Sequence, residues 1–196
     1  MVAAPSGAGK TTLVHALAQR LSDIALTVSH TTRKARAGEV DGQHYHFVSS
    51  AEFEKLIQND QFLEHAKVFD HWYGTSRQTA NDGLATGDVL LEIDWQGAQQ
   101  VKVKHPEAIS IFILPPSRET LEQRLRKRAK DSDQVIASRL ATAQADMAHH
   151  TEFDYLVIND DFQTAVDQLC AIVRAAQLRS LKQALRHGEL IRRLLA

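Results

Sequence analysis

Short apolar runs alternate along the chain with longer amphipathic stretches. Leu26-Val28, Val89-Ile93, Ile109-Leu114 and Tyr155-Ile158 are brief and rich in β-branched residues, the pattern of strands buried on both faces. The stretches between them carry helix starts and stops. Ser117 precedes Thr120-Arg128, Ser132 precedes Val135-His150, Asn159-Asp160-Asp161 precedes a helix from near Phe162, and Gly87 closes Arg77-Thr86. Strand and helix in alternation predict an α/β fold: a parallel sheet with helices on both faces. From His44 to Thr75 the rhythm changes. Tyr45-Val48 reads as a strand, Ser49 or Ser50 as a helix cap and Phe62-Phe69 as an extended segment, which predicts an inserted lobe. Val166-Leu185 and Leu190-Leu195 predict closing helices broken near His187-Gly188, whose mixed charge points to packing or subunit contact and not to a membrane.

Composition narrows the class. Of 196 residues, 43% are hydrophobic and 24% charged, enough to build a core and too apolar for a disordered chain; the length favours one domain. Lys+Arg number 23 against 24 Asp+Glu, a net charge of -1, so no overall basic field is available to hold a nucleic acid, though a local cluster suffices for a small anion. The single Cys170 excludes a disulfide framework and a multi-cysteine zinc site and fits a reducing compartment, the cytoplasm. No apolar run approaches the roughly 18 residues of a membrane span, and the start lacks the pattern of a secretory signal. His149 and His150 are adjacent and point apart on a helix, which argues against a zinc site.

Candidate chemistry begins at Ala4-Pro5-Ser6-Gly7-Ala8-Gly9-Lys10-Thr11, which matches the phosphate-loop pattern G-x-x-x-x-G-K-[ST] with Ala4 in place of the first glycine. Gly7 and Gly9 let backbone N–H groups turn toward phosphate oxygens, and a helix from near Lys10 adds the positive end of its dipole. Lys10 would reach the β and γ phosphates, and the Thr11 hydroxyl would take a magnesium position. Ala4 is harmless at negative φ and strained at positive φ. Only Met1-Val2-Ala3 precede the loop, where a strand of about five residues is usual. The first strand is therefore expected to be short, and apolar extension is expected to stabilise it. Downstream, Val89-Asp94 is an apolar strand ending in acid, which puts Asp94, or Glu92, where open α/β sheets bind ligands. The polar segment Ser29 to Tyr45 concentrates Arg33, Lys34 and Arg36, and guanidinium forks suit phosphate.

Taken together, the Ala4 to Thr11 loop, Ser-His-Thr-Thr-Arg through Tyr45, Phe62-Leu63-Glu64-His65-Ala66, Tyr73-Gly74-Thr75, Glu92-Ile93-Asp94-Trp95-Gln96-Gly97 and Asn159-Asp160-Asp161 closely resemble bacterial guanylate kinases over nearly the whole chain. The resemblance implies a P-loop three-layer core with a parallel sheet, an inserted mixed α/β GMP-binding lobe and a helical lid. All belong to one domain, 1–196, with the core at 1–28, 76–116 and 151–196, the lobe at about 29–75 and the lid at about 117–150. It implies magnesium-dependent transfer of the γ-phosphoryl of ATP to GMP or dGMP.

Residue roles follow from the same resemblance. Arg33, Arg36, Tyr45 and Tyr73 match positions that hold the GMP phosphate, Ser29, Glu64 and Thr75 those that read guanine, with Glu92 and Asp94 on the same side. Ser6, Gly7, Ala8, Gly9, Lys10, Thr11 and Thr12 match the ATP loop, Arg124 and Asn159 lie near ATP, and Thr11 and Asp94 serve magnesium, directly or through water. Lys10, Arg36, Arg128 and Arg139 are the catalytic set. The basic run Arg118, Arg124, Arg126, Lys127, Arg128, Lys130 and the break Asp131-Ser132-Asp133 fit a mobile flap. Ala35 stands where relatives commonly have proline, and Glu92 where many have Asp. Two other readings stay open: a different P-loop kinase, such as a ribose bisphosphate kinase, and a non-catalytic guanylate-kinase-like module. Ser29, Glu64, Thr75 and the paired tyrosines argue against the first; Gly9, Lys10 and Thr11 argue against the second.

Overall fold

The computed structural model describes residues 1–128 and 133–196, the side chain of Arg128 excepted. The phosphate contact expected of Arg128, the neighbouring Lys130 and the Asp131-Ser132 break thus fall outside the described residues. The chain opens with β1 (Val2–Ala3), α1 (Lys10–Arg20) and β2 (Ile24–Leu26). It continues through β3 (His30–Thr31), β4 (His46–Phe47), α2 (Ser50–Gln58), β5 (Phe62–Val68) and β6 (His71–Ser76). Next come α3 (Arg77–Thr86), β7 (Asp88–Leu90), α4 (Trp95–Lys104), β8 (Ile111–Leu114), α5 (Arg118–Arg128) and α6 (Asp133–Ala148). A 3-10 turn at His149–Glu152 leads to β9 (Tyr155–Ile158), α7 (Phe162–Gln177), α8 (Ser180–Arg186) and α9 (Gly188–Leu195).

The core sheet is parallel. β1, β8 and β9 pair in that order, and β2 pairs with β7. Val2 joins the two parts: its N–H donates to the Leu91 carbonyl at 2.9 Å, and its carbonyl accepts from Ile93 N–H at 3.1 Å. The strand order is therefore β2-β7-β1-β8-β9. Period-2 alternation sends Leu90 to one face and Leu91 and Ile93 to the other. Leu90 joins a cluster with Leu13, Leu17, Val166 and Leu169 of α1 and α7, and Leu91 and Ile93 join Ala80, Ala98 and Val101 of α3 and α4. This is the three-layer arrangement expected. A third small cluster, Leu121, Leu125, Ile136 and Ala143, holds α5 against α6.

A second sheet has the order β4-β3-β6-β5, with β3 and β4 parallel and the other pairs antiparallel. Phe53 of α2 covers it, stacked on Phe62 at 4.5 Å and Trp72 at 5.9 Å between ring centroids. Helix α2 starts at a capping box in which Ser49 and Glu52 satisfy each other's backbone N–H groups.

Several boundaries differ from the sequence pattern. β2 ends at Leu26, where Leu26-Val28 predicts a strand start. β3 and β6 occupy segments that read as a polar loop and as an unassigned stretch: β3 is ordered by pairing with the sequence-distant β6, and β6 chiefly by its hairpin with β5. The predicted Val166-Leu185 helix is two helices: Arg179 is extended (φ -54, ψ 135) between α7 and α8. Of these closing helices, α7 packs on the core through Val166 and Leu169, whereas Leu181 and Leu185 of α8 and Leu194 and Leu195 of α9 are 74% to 83% exposed.

Candidate active site

Gly7 and Gly9 adopt φ of +90 and +94, the left-handed conformation that the loop needs and that side chains resist. Ala4 is not among the positive-φ residues, so its replacement of glycine carries no strain. A Cβ at Gly9 would stand 2.5 Å from Asn159 Nδ2. That amide donates to the Ala8 carbonyl at 2.7 Å, and Arg124 joins it, donating to the Ala8 and Asn159 carbonyls at 3.2 Å each. The loop, the end of β9 and α5 are thereby tied at one point. Ser6 lies in the turn of the loop and Thr12 on the exposed first turn of α1, whose N-terminus faces the loop.

At the loop's other flank, Lys10 Nζ donates to the Ile93 carbonyl and the Thr11 hydroxyl to Glu92 Oε1, each at 2.5 Å. Asp94 caps α4, its Oδ1 accepting from Gly97 N–H at 2.7 Å, while its Oδ2 is buried without a partner. Lys10, Thr11, Glu92 and Asp94 are thus brought together.

The residues expected to read a nucleobase also converge. Ser29 Oγ and Thr75 Oγ1 lie 3.3 Å apart in a buried position, and Glu64, 4% exposed, bonds to Thr75. Burial pushes the Glu64 carboxyl up to about 7; the Thr75 hydroxyl opposes the shift, Asp94 adds to it and Lys10 opposes it. That Asp94 and Lys10 act on Glu64 puts this carboxyl beside the phosphate loop.

Arg33 forms a two-pronged pair with Glu39, at 2.8 and 2.9 Å, and lies 5.4 Å from the Tyr45 ring. Tyr45 meets Tyr73 edge-on at 5.9 Å. Burial, followed by Glu92 and Tyr73, pushes the Tyr45 hydroxyl up to about 12, so it remains a donor at neutral pH. Glu39 also accepts from Arg36 N–H at 2.7 Å and is held at about 2, first by Arg33. Arg139 is half-buried on α6.

The structure adds groups that the sequence pattern did not single out. Glu39 is one. Others lie on α4: Gln100 and Lys104, which face β5 together with Gly97 of the Glu92 to Gly97 motif. At the start of α4, the Trp95 indole stacks flat on His149 (3.5 Å, 9°) and donates to Asp146 at 3.1 Å, while His149 and Gln99 both reach Glu152 at 2.6 Å. This knot fastens the end of α6 to the helix that begins at Asp94.

Comparison with known proteins gives the family. The guanylate kinase family model matches residues 1–176. The chain is 56% identical to guanylate kinases of Escherichia coli K12 and Methylococcus capsulatus, over all of this chain and 96% of each relative. The crystal structure of guanylate kinase from Anaplasma phagocytophilum superposes with a TM-score of 0.74 at 35% identity, over 92% of this chain and 86% of that one. By sequence along its length and by fold, the chain belongs to the guanylate kinase family.

Proposed function

We propose that this chain transfers the γ-phosphoryl group of ATP to GMP or dGMP, giving ADP and GDP or dGDP, with the residues gathered above as its machinery. The observation that carries this assignment is the buried Ser29, Thr75 and Glu64 group lying within electrostatic reach of Lys10 and Asp94. Guanine presents O6 as acceptor and N1–H and the 2-amino group as donors, so hydroxyls and a carboxylate complement it. Adenine inverts O6 and lacks that donor pair, leaving buried polar groups unmatched.

Arg33, Arg36, Tyr45 and Tyr73 take the GMP phosphate, and the loop from Ser6 to Thr12, with Lys10, takes the β and γ phosphates of ATP. An oxygen of the GMP phosphate, already anionic, bonds to the γ phosphorus. The bond from that phosphorus to the bridging β–γ oxygen breaks, and ADP leaves with the electron pair. No general base is needed; the protein aligns the reactants and neutralises charge. Arg128 and Arg139, on a lid of about 117–150 closing on a core and a lobe of about 29–75, supply part of that neutralisation, with Arg124 and Asn159 on the ATP side.

The oxygen donors at the loop suit magnesium. The Thr11 hydroxyl, Glu92 and Asp94 are hard ligands, and the unpartnered Asp94 Oδ2 is an acceptor that a cation or its bound water would satisfy. When bound, magnesium offsets phosphate charge as the transfer proceeds. We place the reaction in the cytoplasm, on free nucleotides. Cys170 is a free buried thiol, and among the described residues no helix is long and apolar enough to cross a membrane. The exposed leucines of α8 and α9 favour a homo-oligomer.

A coupled assay of ATP with GMP, dGMP and AMP tests the assignment. GMP and dGMP should exceed AMP by about 10⁴ in kcat/KM, the scale for a site built to hydrogen-bond its substrate. Glu64→Gln should lower kcat/KM for GMP, since the amide puts a donor where the base also donates. Equal turnover of AMP and GMP overturns the assignment.

A further inference from the structure

Among the described residues β5 is the outermost strand of its sheet, so one edge of its backbone meets no other strand there. The helix α4 fills that edge with side chains. Gln100 acts as a single peptide group would: its Oε1 accepts from His65 N–H at 3.1 Å and its Nε2 donates to the His65 carbonyl at 2.7 Å. One turn later, Lys104 Nζ donates to the Leu63 carbonyl at 2.6 Å. The two spacings, four residues apart, lie on one helix face. The backbone on both sides of Glu64 is therefore held by the same helix.

That helix also shapes the space that the Glu64 side chain occupies. A Cβ at Gly97 would sit 2.4 Å from Glu64 Oε2, so only glycine leaves room for the carboxylate there. Gly97 N–H in turn donates to Asp94, the cap of α4. One rigid element thus sets the phosphate-side carboxylate, the gap for Glu64 and the height of the strand that carries it.

We infer that Gln100, seconded by Lys104, is a positioning residue that fixes the Glu64 carboxylate against the guanine edge and so sets selectivity for a 2-amino purine. The inference rests on the assignment of Glu64 as a base-reading group. Gln100 touches no substrate; its effect passes through the His65 backbone. An edge-filling amide with a purely structural role would change stability and leave selectivity alone.

The test compares GMP with IMP, whose base keeps O6 and N1–H but lacks the 2-amino group. In Gln100→Leu, of similar shape and without hydrogen-bonding atoms, we expect the KM for GMP to rise about tenfold and the GMP/IMP ratio of kcat/KM to fall about fivefold, in the range for displaced contacts. The KM for ATP and the kcat at saturating GMP should stay within about twofold. Lys104→Met should shift the same ratio less, and Gln100→Asn should fall between Gln100→Leu and the unaltered protein. If Gln100→Leu does not fold, Gln100→Asn and Lys104→Met decide. A lowered melting temperature with an unchanged GMP/IMP ratio in the folded variants overturns the inference. Glu64→Gln, measured alongside, separates the two levels. If it leaves the ratio intact, the base-reading assignment falls and the inference with it. If it lowers the ratio while the Gln100 and Lys104 variants do not, positioning alone falls.

Discussion

Glu64 is a carboxylic acid kept where water is scarce, and its titration has two opposite consequences. Its folded value of about 7 lies above the ordinary 4.5, so between these values the folded chain holds a proton that the unfolded chain has lost. The stability associated with that proton is complete below about 4.5, is lost as pH rises through about 7, and amounts to about 3 kcal/mol across the window. Glu64→Gln should thus melt with the unaltered protein at pH 4 and about 5 to 10 °C above it at pH 8, measured without nucleotide. Function runs the other way. Below about pH 7 a protonated Glu64 offers a donor to a base edge that also donates, so the KM for GMP should climb as pH falls. Initial rates from pH 6 to 8 check this, and Glu64→Gln should lack that part of the climb. The convergence of Ser29, Glu64 and Thr75 and the turn of the phosphate loop were legible because each residue sits in a short contiguous motif. Glu39 was not. An acid six residues beyond Arg33 reads as a solvated loop charge until the turn at Gly38, with φ of +85, folds it back onto the guanidinium.

Among the elements, the phosphate loop is the one whose shape is most tightly over-determined. Gly9 needs a positive φ and has the Asn159 amide against it, so Gly9→Ala meets both a backbone penalty of about 1–3 kcal/mol and a steric one. We expect kcat/KM for ATP to fall more than tenfold while the KM for GMP changes little. Asn159→Ala in the same chain should restore only the steric part; steady-state rates of the three proteins separate the contributions. The strands β8 and β9 and the helices α3, α5 and α7 were readable from local pattern because short β-branched runs and capping residues mark them in sequence, although Tyr155, Leu156 and Ile158 of β9 are exposed and not buried on both faces as the run predicts. The bounds of α3 agree with Arg77-Thr86. The strands β3 and β6 were not readable, since their residues mix His, Thr, Trp and Gly; β3 acquires strand form by pairing with β6 across more than 40 positions, and β6 chiefly by its hairpin with β5. The break at Arg179 is likewise invisible locally, because no glycine or proline marks it.

At the scale of the molecule, α4 stands where the parallel sheet, the mixed sheet and the end of α6 meet. It begins at Asp94, clamps β5 through Gln100 and Lys104, and is pinned to α6 through Trp95 and Asp146. We propose that α5 and α6, which share a small core of their own, shift as a body about that pin once the Arg124 bonds to Ala8 and Asn159 open. If Arg139 reaches the transferring phosphoryl group when they do, Arg139→Ala should lower kcat by about 10³ and raise the KM for GMP much less. Arg118→Ala, from the start of α5, is the control. Equal kcat for both variants and the unaltered protein, under saturating ATP and GMP, removes Arg139 from the transfer step.

The stack of Trp95 on His149 gives the chain an optical gauge of its own. The sequence contains 2 tryptophans, and they report on different places: Trp72 lies among the rings of the mixed sheet, Trp95 at the foot of α6. An indole pressed flat on an imidazole emits differently from one released into solvent. In Trp72→Phe the remaining emission should therefore answer to ATP and stay nearly silent to GMP alone, and His149→Ala should abolish the answer. Stopped-flow traces of that single-tryptophan protein would time the proposed motion of α5 and α6 directly, with no attached dye and no change to a residue assigned to either nucleotide.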